Sequence, residues 1–426
     1  MVWDPKGRNT DGSARLMARD QGGGIEVTDP DVHVNLASRR LGASVIGASD
    51  EFFGEKENLL RPEPPGHRPQ TFGHKGQVVD GWETRRRREP GHDYALIRLG
   101  APGVISGVVV DTAHFTGNFP AECSVEAYAA EGYPAPADLV GPSADWVKIV
   151  PRSALAGDSQ NWFKVADGQR FTHVRLTIYP DGGVARLRVE GEVVPDPRLL
   201  AGRPLDLVAL ENGGTVESAS DRFYSPPENM IGPGRASVMG DGWETRRRRD
   251  TGHDWVLFQL AAAGKISQAV VDTSCFLGNA PATATLRACY ASASGLDTAE
   301  WFDVLPATPL QPDTRHVFRV DPAGTAPATH VRLEIHPDGG LARLRLFGEL
   351  TAEGRARLGL RWFDRLPTDQ ALAVLARECG LEGPPAAELV ARRPFGLPAH
   401  LDWLLTGGEL TSLGAAADPV RALILG

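Results

Sequence analysis

The nonapeptide DGWETRRRR occurs twice in this 426-residue chain, at residues 80–88 and again at 241–249. Three longer blocks recur around it in the same order, each pair separated by roughly 160 to 170 residues. They are ASDEFFGEKENLL with ASDRFYSPPENMI, VVVDTAHFTGNFPA with AVVDTSCFLGNAPA, and THVRLTIYPDGGVARLRVEGE with THVRLEIHPDGGLARLRLFGE. Short loop insertions account for the changes in spacing. The chain therefore contains two tandem copies of one domain of roughly 150 residues, a period too long for a solenoid.

Each copy has a β pattern. In HVRLTIYP the apolar Val174, Leu176 and Ile178 alternate with other residues, which is the period of a half-buried strand. PDGG then supplies turn residues and alternation resumes in LRVEG, so we expect a hairpin here. Four further short strands are predicted at YALIRLG, ISGVVVDT, SVEAYAA and WVKIVP. The predicted fold class is all-β, with tandem duplicated jelly-roll β-sandwich domains and a small C-terminal α-helical appendage.

Changes in sequence character divide the chain into four parts. Residues 1–30 are polar and Gly-rich without an apolar signal region, so we expect a disordered leader. The first jelly-roll repeat is placed at 31–198 and the second at 199–352. The remainder, 355–426, is predicted to be a helical tail, in which TDQALAVLARECG indicates a helix capped by Thr or Asp and ended by Gly380.

Composition narrows the class of protein. The net charge of −9 argues against a protein whose main partner is a nucleic acid. No stretch approaches the roughly 20 apolar residues of a membrane span. The four cysteines lie far apart without CxxC spacing, which is typical of reduced thiols in a cytosol. We therefore expect a cytoplasmic protein that binds neither nucleic acid nor a membrane.

The repeated arginines leave two interpretations open. Consecutive side chains of an extended segment point to opposite faces, so four arginines cannot all face one phosphate backbone. Some could pair with the flanking acids, namely Glu83, Glu89, Glu244 and Asp250. Alternatively, one or two could point into a cleft and hold a small carboxylate with the planar guanidinium. The arginines of PDGG…ARLR, Arg186 and Arg343, have no explanation in the turn chemistry.

Two further repeated sequence segments contain histidine. GHD places His92 and His253 beside an acid, where an imidazole could act as general acid or base, although the Asp could equally cap a turn. DTAHFTGN contains His114, which is replaced by Cys275 in the second copy. Chemistry that depends on His114 would therefore occur in one copy only, and a turn closed by Asp is the alternative. The scattered histidines give no metal motif, so a divalent metal is possible but no cofactor is certain.

Together these four blocks resemble the allantoicase family over residues 35 to 350, in both halves. The resemblance implies two jelly-roll domains in tandem and a hydrolase that splits a C–N bond of allantoate, giving ureidoglycolate and urea in purine degradation. An arginine would hold the substrate carboxylate, and the candidates are Arg85, Arg86, Arg186, Arg246, Arg247 and Arg343. The acid and base candidates are Glu83, His92, His114, Glu244 and His253. Asn118 and Asn279 could bind a ureido carbonyl.

The tail has a second resemblance. FDRLPTDQALAVLARECG…AAELVARRPF is similar to the N-terminal helices of the decarboxylase that acts on the ureidoimidazoline product of urate oxidation. That family's His-Pro segment and Gly-rich catalytic portion are missing, so the tail is interpreted as a truncated relic or a docking module. A non-catalytic jelly-roll that binds a small ligand or carbohydrate is the alternative function, and a scaffold for other purine-degrading enzymes is a third. Exposed sheet edges favour a homo-oligomer.

Overall fold

The computed structural model describes residues 34–66, 70–141, 144–200, 202, 204–291, 295–321, 326–396 and 410–425. The leader expected at 1–30 lies outside this range. The first unit contains the strands β1 (Val34–Asn35), β2 (Ser44–Ala48), β3 (Phe72–Gly73), β4 (Gly76–Gln77), β5 (Trp82–Glu83), β6 (Asp93–Asp111), β7 (Glu122–Tyr128), β8 (Val147–Ala154), β9 (Gln160–Lys164), β10 (Arg170–Tyr179), β11 (Gly183–Val184) and β12 (Arg186–Val193), with a short helix α1 (Pro136–Val140).

The second unit repeats this order. Its strands are β13 (Leu205–Asp206), β14 (Thr215–Ala219), β15 (Trp243–Glu244), β16 (Asp254–Asp272), β17 (Thr283–Cys289), β18 (Trp301–Pro309), β19 (Arg315–Arg319), β20 (Ala328–His336), β21 (Gly340–Leu341) and β22 (Arg343–Leu350), with a short helix α2 (Glu228–Ile231). The tail contains α3 (Ala352–Arg365), α4 (Thr368–Cys379), α5 (Gly383–Ala391) and α6 (Ala417–Leu425). The predicted pair of β-sandwiches with a helical tail is confirmed.

One long strand organises each unit. The first part of β6 pairs with β2 and β10, and its last part pairs with β9 and β12. In the second unit β16 does the same with β14, β20, β19 and β22. The long strand thus passes from one antiparallel layer to the other, and both layers of the sandwich contain part of it.

This arrangement corrects two predictions. YALIRLG and ISGVVVDT belong to the single strand β6 and are not two strands, because its pairing continues on both sides of Pro102. The hairpin expected across PDGG is also wrong. β10 and β12 lie on either side of β6 and pair with it, not with each other, so PDGG connects the two layers.

Each unit has its own apolar core. Trp82 and Trp243 are fully buried at equivalent places, and each indole Nε1 donates to a backbone carbonyl, of Asp50 at 2.7 Å and of Asp221 at 2.8 Å. Core packing explains these tryptophans, and the indole hydrogen bonds satisfy their polar atoms.

The helical tail packs against the first unit and against the linker between the units. A third apolar cluster joins Val194 to Trp362, Phe363 and other tail residues. Helix α4 ends at Gly380 in a left-handed conformation, as the sequence predicted, but Pro367 occupies the N-cap in place of Thr or Asp. Within the part of the chain that the structure describes, no helix is long and apolar enough to cross a membrane.

Candidate active site

The four repeated blocks meet beside β5. Glu83 pairs with Gly183 of the PDGG turn on one side and forms an isolated bridge with Gly54 on the other. Thr84 continues this contact, its backbone N–H donating to the Gly182 carbonyl at 3.1 Å. In the second unit Glu244 pairs with Gly340 and bridges to Ser225. The carboxylate of each unit is therefore carried by backbone that is fixed from both sides.

An asparagine holds each of these carboxylates. Asn118 Nδ2 donates to Glu83 Oε1 at 2.7 Å, and Asn279 Nδ2 donates to Glu244 Oε1 at 2.6 Å. The backbone carbonyls of Asn118 and Asn279 accept the backbone N–H of Gly183 and of Gly340, at 2.8 and 2.9 Å. The two asparagines are thus positioned by the same turns that position the carboxylates.

The Glu83 carboxyl has properties suited to proton transfer. Burial raises its pKa, and the hydrogen bond from Asn118 opposes that rise. Its second oxygen, Oε2, has no hydrogen-bond partner among the described residues. A carboxyl with a raised pKa and one available oxygen is a candidate general acid or base.

The arginine run of the first unit lines a cleft of about 310 Å³ beside this carboxyl's segment. Arg85 Nε donates to Asp50 at 2.9 Å, and Arg87 Nη1 donates to Asp93 at 2.9 Å. Arg86 and Arg88 are exposed and make no ion pair with any described residue. The lining consists of Asp50, Arg85, Arg86, Arg87, Arg88, Glu89 and Asp93, four arginines against three carboxylates. The cleft therefore carries an excess of positive charge.

The second unit differs from the first at one arginine. Arg246 Nε donates to Asp221 at 2.7 Å and Arg248 Nη1 to Asp254 at 2.8 Å, as in the first unit. Arg248 additionally binds both oxygens of Asp250, at 2.9 and 3.1 Å. Glu89 stands at the equivalent position of the first unit, and Arg87 makes no such pair with it among the interactions of the described chain. The positive charge of this arginine is thus more fully neutralised in the second unit.

These contacts test the hypothesis that the repeated arginines pair with the acids that flank them. Alternate arginines of each run do form ion pairs, with the aspartates of the upstream ASD segment and of the GHD segment six residues further on. Of the flanking acids, Asp250 alone pairs with an arginine of its run among the described residues. Arg86 and Arg247 remain exposed in the two units.

The arginines after the PDGG turn are buried and clamp a loop. Arg186 is 1% exposed, donates to the carbonyls of Glu63 and Asp80 at 3.0 and 2.9 Å, and pairs with the Asp80 carboxylate at 2.9 Å. Arg343 donates to the carbonyls of Gly234 and Asp241 at 3.1 and 2.5 Å. These contacts occupy much of each guanidinium and explain why an arginine follows the turn in both units.

The histidines of GHD turn away from their neighbouring acid. His92 lies against Tyr179, with 5.6 Å between ring centroids, while Asp93 accepts from Ser49 and Arg87. His253 stacks on His336 at 4.4 Å. Neither imidazole is held by the acid that follows it in the sequence.

The histidine of DTAHFTGN lies on an exposed loop. His114 adopts a left-handed conformation with φ of 69°, its Nε2 is 3.1 Å from the Pro65 carbonyl, and its backbone N–H donates to Asp158. Cys275 has the same conformation, with φ of 72°, and its backbone N–H donates to Asp313. The loop is therefore built by its backbone, and the change from His to Cys leaves its shape unaltered.

Several residues of the site were missing from the sequence-based candidates. Asp50 and Asp221 bind Arg85 and Arg246, and Asp181 and Asp338 accept the backbone N–H of Arg87 and Arg248, both at 2.8 Å. These aspartates recur in the ASD and PDGG segments of both units, and that repetition was the signal that could have identified them as site residues. Across the described ranges, no group of three or more His, Cys, Asp or Glu residues is arranged to hold a metal ion.

Comparison with known proteins identifies the family to which this repeated arrangement belongs. The sequence model described as "Allantoicase repeat" matches residues 34–194 and 205–351, one match for each sandwich. The chain belongs to the allantoicase family. The carboxylate and asparagine pair that recurs in the two units is therefore a feature of an allantoicase fold.

Individual relatives of the allantoicase family extend this match over most of the chain. A probable allantoicase of Nocardia farcinica is 56% identical over 317 residues, which is 74% of this chain and 94% of the relative. One of Streptomyces coelicolor is 52% identical over 340 residues, 77% of this chain and 89% of the relative. The crystal structure of allantoicase from Saccharomyces cerevisiae is 34% identical, with a TM-score of 0.64, and the match covers 75% of this chain and 94% of that one.

Proposed function

We propose that this chain hydrolyses allantoate to ureidoglycolate and urea. Membership of the allantoicase family, at up to 56% identity with a relative of that name, supports the activity. The observation that carries the chemistry is the carboxyl of Glu83, held at one oxygen by Asn118 and available at the other. The arginines that follow Glu83 in the chain, Arg85 to Arg88, line a cleft.

The arginine cleft suits the substrate carboxylate. Allantoate carries one carboxylate and two ureido groups on a single carbon, and a planar guanidinium binds a carboxylate through two parallel hydrogen bonds. Arg86 is the candidate for this contact because it lines the cleft and its guanidinium makes no hydrogen bond or ion pair with the described residues. Arg85 contributes positive charge while Asp50 fixes its position. Arg246 and Arg247 are the corresponding candidates of the second unit.

Glu83 is the proposed base. It takes a proton from a water molecule whose oxygen bonds to the central carbon, while the bond from that carbon to one ureido nitrogen breaks. The departing nitrogen takes up a proton, which gives urea, and the new C–OH group gives ureidoglycolate. Asn118 donates one amide hydrogen to Glu83, so its second amide hydrogen is available for a ureido carbonyl. His92 and His114 remain candidates for the acid that protonates the leaving nitrogen.

We place the working site in the first unit. There Arg87 lacks the second carboxylate that neutralises Arg248, and an anion is better stabilised where positive charge is not already paired. In the second unit Met239 Sδ also lies 3.8 Å from Asn279 Nδ2, beside the amide that would bind the ureido group. Glu244 and His253 would then have structural roles.

The test is release of urea from allantoate by the purified protein, with ureidoglycolate identified as the second product. Equal amounts of both products support the hydrolysis. Binding of allantoate without either product would instead indicate a jelly-roll that binds a small ligand without catalysis.

Three further proposals concern the setting of the enzyme. Homo-oligomerisation is supported by the exposed faces and edges of the sandwiches. A cytoplasmic location is supported by four free cysteines, three of them buried. A docking or structural role of the tail is supported by its packing, since Trp362 and Phe363 share an apolar cluster with Val194.

A further inference from the structure

A second cavity, of about 560 Å³, lies between the first sandwich and the helical tail. Its lining comes from three parts of the chain. The first unit contributes Arg98, Arg170 and His173, the linker contributes Arg198, and the tail contributes residues of α3 and α4 such as Trp362 and Gln370. The volume is within the range of small-molecule sites. The tail thus closes a cavity that the sandwich alone would leave open on that side.

Arg170 is a buried charge in this cavity, and none of the described carboxylates forms an ion pair with it, although Asp196 and Glu131 act on it at longer range. Its residue is 8% exposed, and its Nε donates to the Val194 carbonyl at 2.7 Å. The two terminal nitrogens of the guanidinium make no hydrogen bond with any described residue. Burial lowers the pKa of Arg170 to about 10, so the group keeps its charge at neutral pH. An anion in the cavity would supply an acceptor for these two terminal nitrogens.

The other charged residues around the cavity do not neutralise the positive charge of Arg170. Arg98 makes one long contact, from Nη2 to the Gly42 carbonyl at 3.4 Å. The nearby carboxylates form ion pairs with other arginines: Asp196 binds Arg198 at 2.7 Å and Glu131 binds Arg377 at 2.9 Å. Burial, with a smaller contribution from Arg98, lowers the pKa of His173 to about 4, so its imidazole is neutral at pH 7.

The equivalent position of the second unit does not have this excess of positive charge. His330, the equivalent of His173, has its Nε2 3.2 Å from a carboxylate oxygen of Glu217. Ile46 replaces that glutamate in the first unit. Across the sheet the register partner of His330 is Gln259, whereas that of His173 is Arg98. The first unit therefore has an arginine in place of a neutral partner and lacks the acid.

We propose that the cavity between the first sandwich and the tail binds a small organic carboxylate, with Arg170 and Arg98 as its ligands. The terminal nitrogens of Arg170 provide the fork that matches a planar carboxylate, and Arg98 supplies the second charge. This site is separate from the arginine cleft at the start of β6. Because α3 and α4 form one wall, an occupied site would also strengthen the packing of the tail on the first unit.

The test is isothermal titration calorimetry of the full-length protein with oxalate, and separately with inorganic phosphate. We expect a binding event for oxalate that weakens at least ~10-fold in Arg98→Gln and in Arg170→Gln, since each removes a charged hydrogen bond. The same event should persist in Arg86→Gln, which alters the arginine cleft, and in Arg319→Gln, an exposed arginine on β19.

Arg98→Gln is the matched variant because the second unit carries glutamine at that register position, so the sheet accommodates it. Circular dichroism and the melting temperature check that both variants are folded, and if Arg170→Gln unfolds, Arg98→Gln decides alone. The proposal is overturned if oxalate does not bind, if its binding is unchanged in Arg98→Gln, or if phosphate alone shows the dependence on Arg98.

Discussion

Asn118 donates a 2.7 Å hydrogen bond to Glu83, and 161 residues later in the same blocks Asn279 donates one of 2.6 Å to Glu244. The pair joins two loops that are far apart in sequence and closes a site that each unit carries. Because the amide stabilises the ionised carboxylate while burial destabilises it, the pair sets the protonation state of the proposed base.

Replacing Asn118 by Ala should impair the base and the ureido contact together. Without the amide, burial acts unopposed and the pKa of Glu83 rises further, so a base that must be ionised works only at higher pH. The acid side of the pH profile of kcat/KM for urea release should move to higher pH, and kcat should fall by ~10- to 100-fold. Asn279→Ala is the control and should leave the profile in place. An unshifted profile in Asn118→Ala would argue against Glu83 as the base.

Arg86→Gln should weaken substrate binding. Loss of a charged hydrogen bond to the carboxylate costs about 1.5–3 kcal/mol, which corresponds to a rise in KM of ~10- to 100-fold. Arg247→Gln removes the equivalent arginine of the second unit and should leave KM unchanged if the first unit holds the working site. Steady-state kinetics of both variants provide the comparison, and a raised KM in Arg247→Gln alone would reverse the assignment.

Asp80→Asn should destabilise the first unit. The Asp80 carboxylate pairs with the buried Arg186, and leaving that charge without its acid costs about 3 kcal/mol in the free energy of unfolding. Asp241→Asn is a matched control, because Asp241 accepts backbone N–H groups of Ser237 and Val238 and has no ion pair with Arg343. Urea denaturation of the two variants measures the difference, and equal losses would show that the ion pair contributes little.

The same pair predicts an acid limit of stability. Burial tends to raise the pKa of Asp80, but Arg186 and the Gly66 N–H outweigh it, so the pKa is lower in the folded chain than the ordinary value. A lowered pKa contributes stability that is present above the unfolded value of about 4 and is lost as the pH falls through the folded value. The difference in unfolding free energy between wild type and Asp80→Asn should therefore shrink below about pH 4.

Gly183→Ala should disturb the carboxylate through the backbone. An added Cβ would meet the ring of the buried Phe115, and overpacking of this kind costs about 1–3 kcal/mol. Gly183 pairs directly with Glu83, so the strain should reach the carboxyl and lower urea release. Gly340→Ala creates the same clash with Phe276 and should destabilise the second unit with little effect on kcat. Equal activity of the two variants would show that the pairing does not position the base.

Local patterns in the sequence predicted much of this fold. The repeated blocks gave the two units, the period of two gave strand β10, and helical spacing with Gly380 gave α4. The order of strands in the sheet could not be predicted in this way, because nothing in the PDGG segment indicates that β6 lies between β10 and β12. The sequence also left open what each arginine contacts, because alternation indicates the face of the strand on which a side chain lies but not which residue it binds there.

The site was predictable in its residue types and less so in its partners. Glu83 and Asn118 were both candidates, but they are separated by 35 positions, and their hydrogen bond depends on the turn that brings the two loops together. Asp50 was missed as an arginine partner because its ion pair joins loops 35 residues apart, which leaves no local pattern. The buried roles of Arg186 and Arg343 likewise depend on loops more than 100 residues away in sequence.

Urea release from allantoate by wild type, Glu83→Gln and Glu244→Gln, compared side by side, tests the central claim most directly. We expect release by the wild type, a loss of at least ~100-fold in Glu83→Gln because glutamine cannot take the proton, and near wild-type release in Glu244→Gln. Circular dichroism of all three proteins controls for folding. A folded wild type that releases no urea, or a loss confined to Glu244→Gln, would contradict the account.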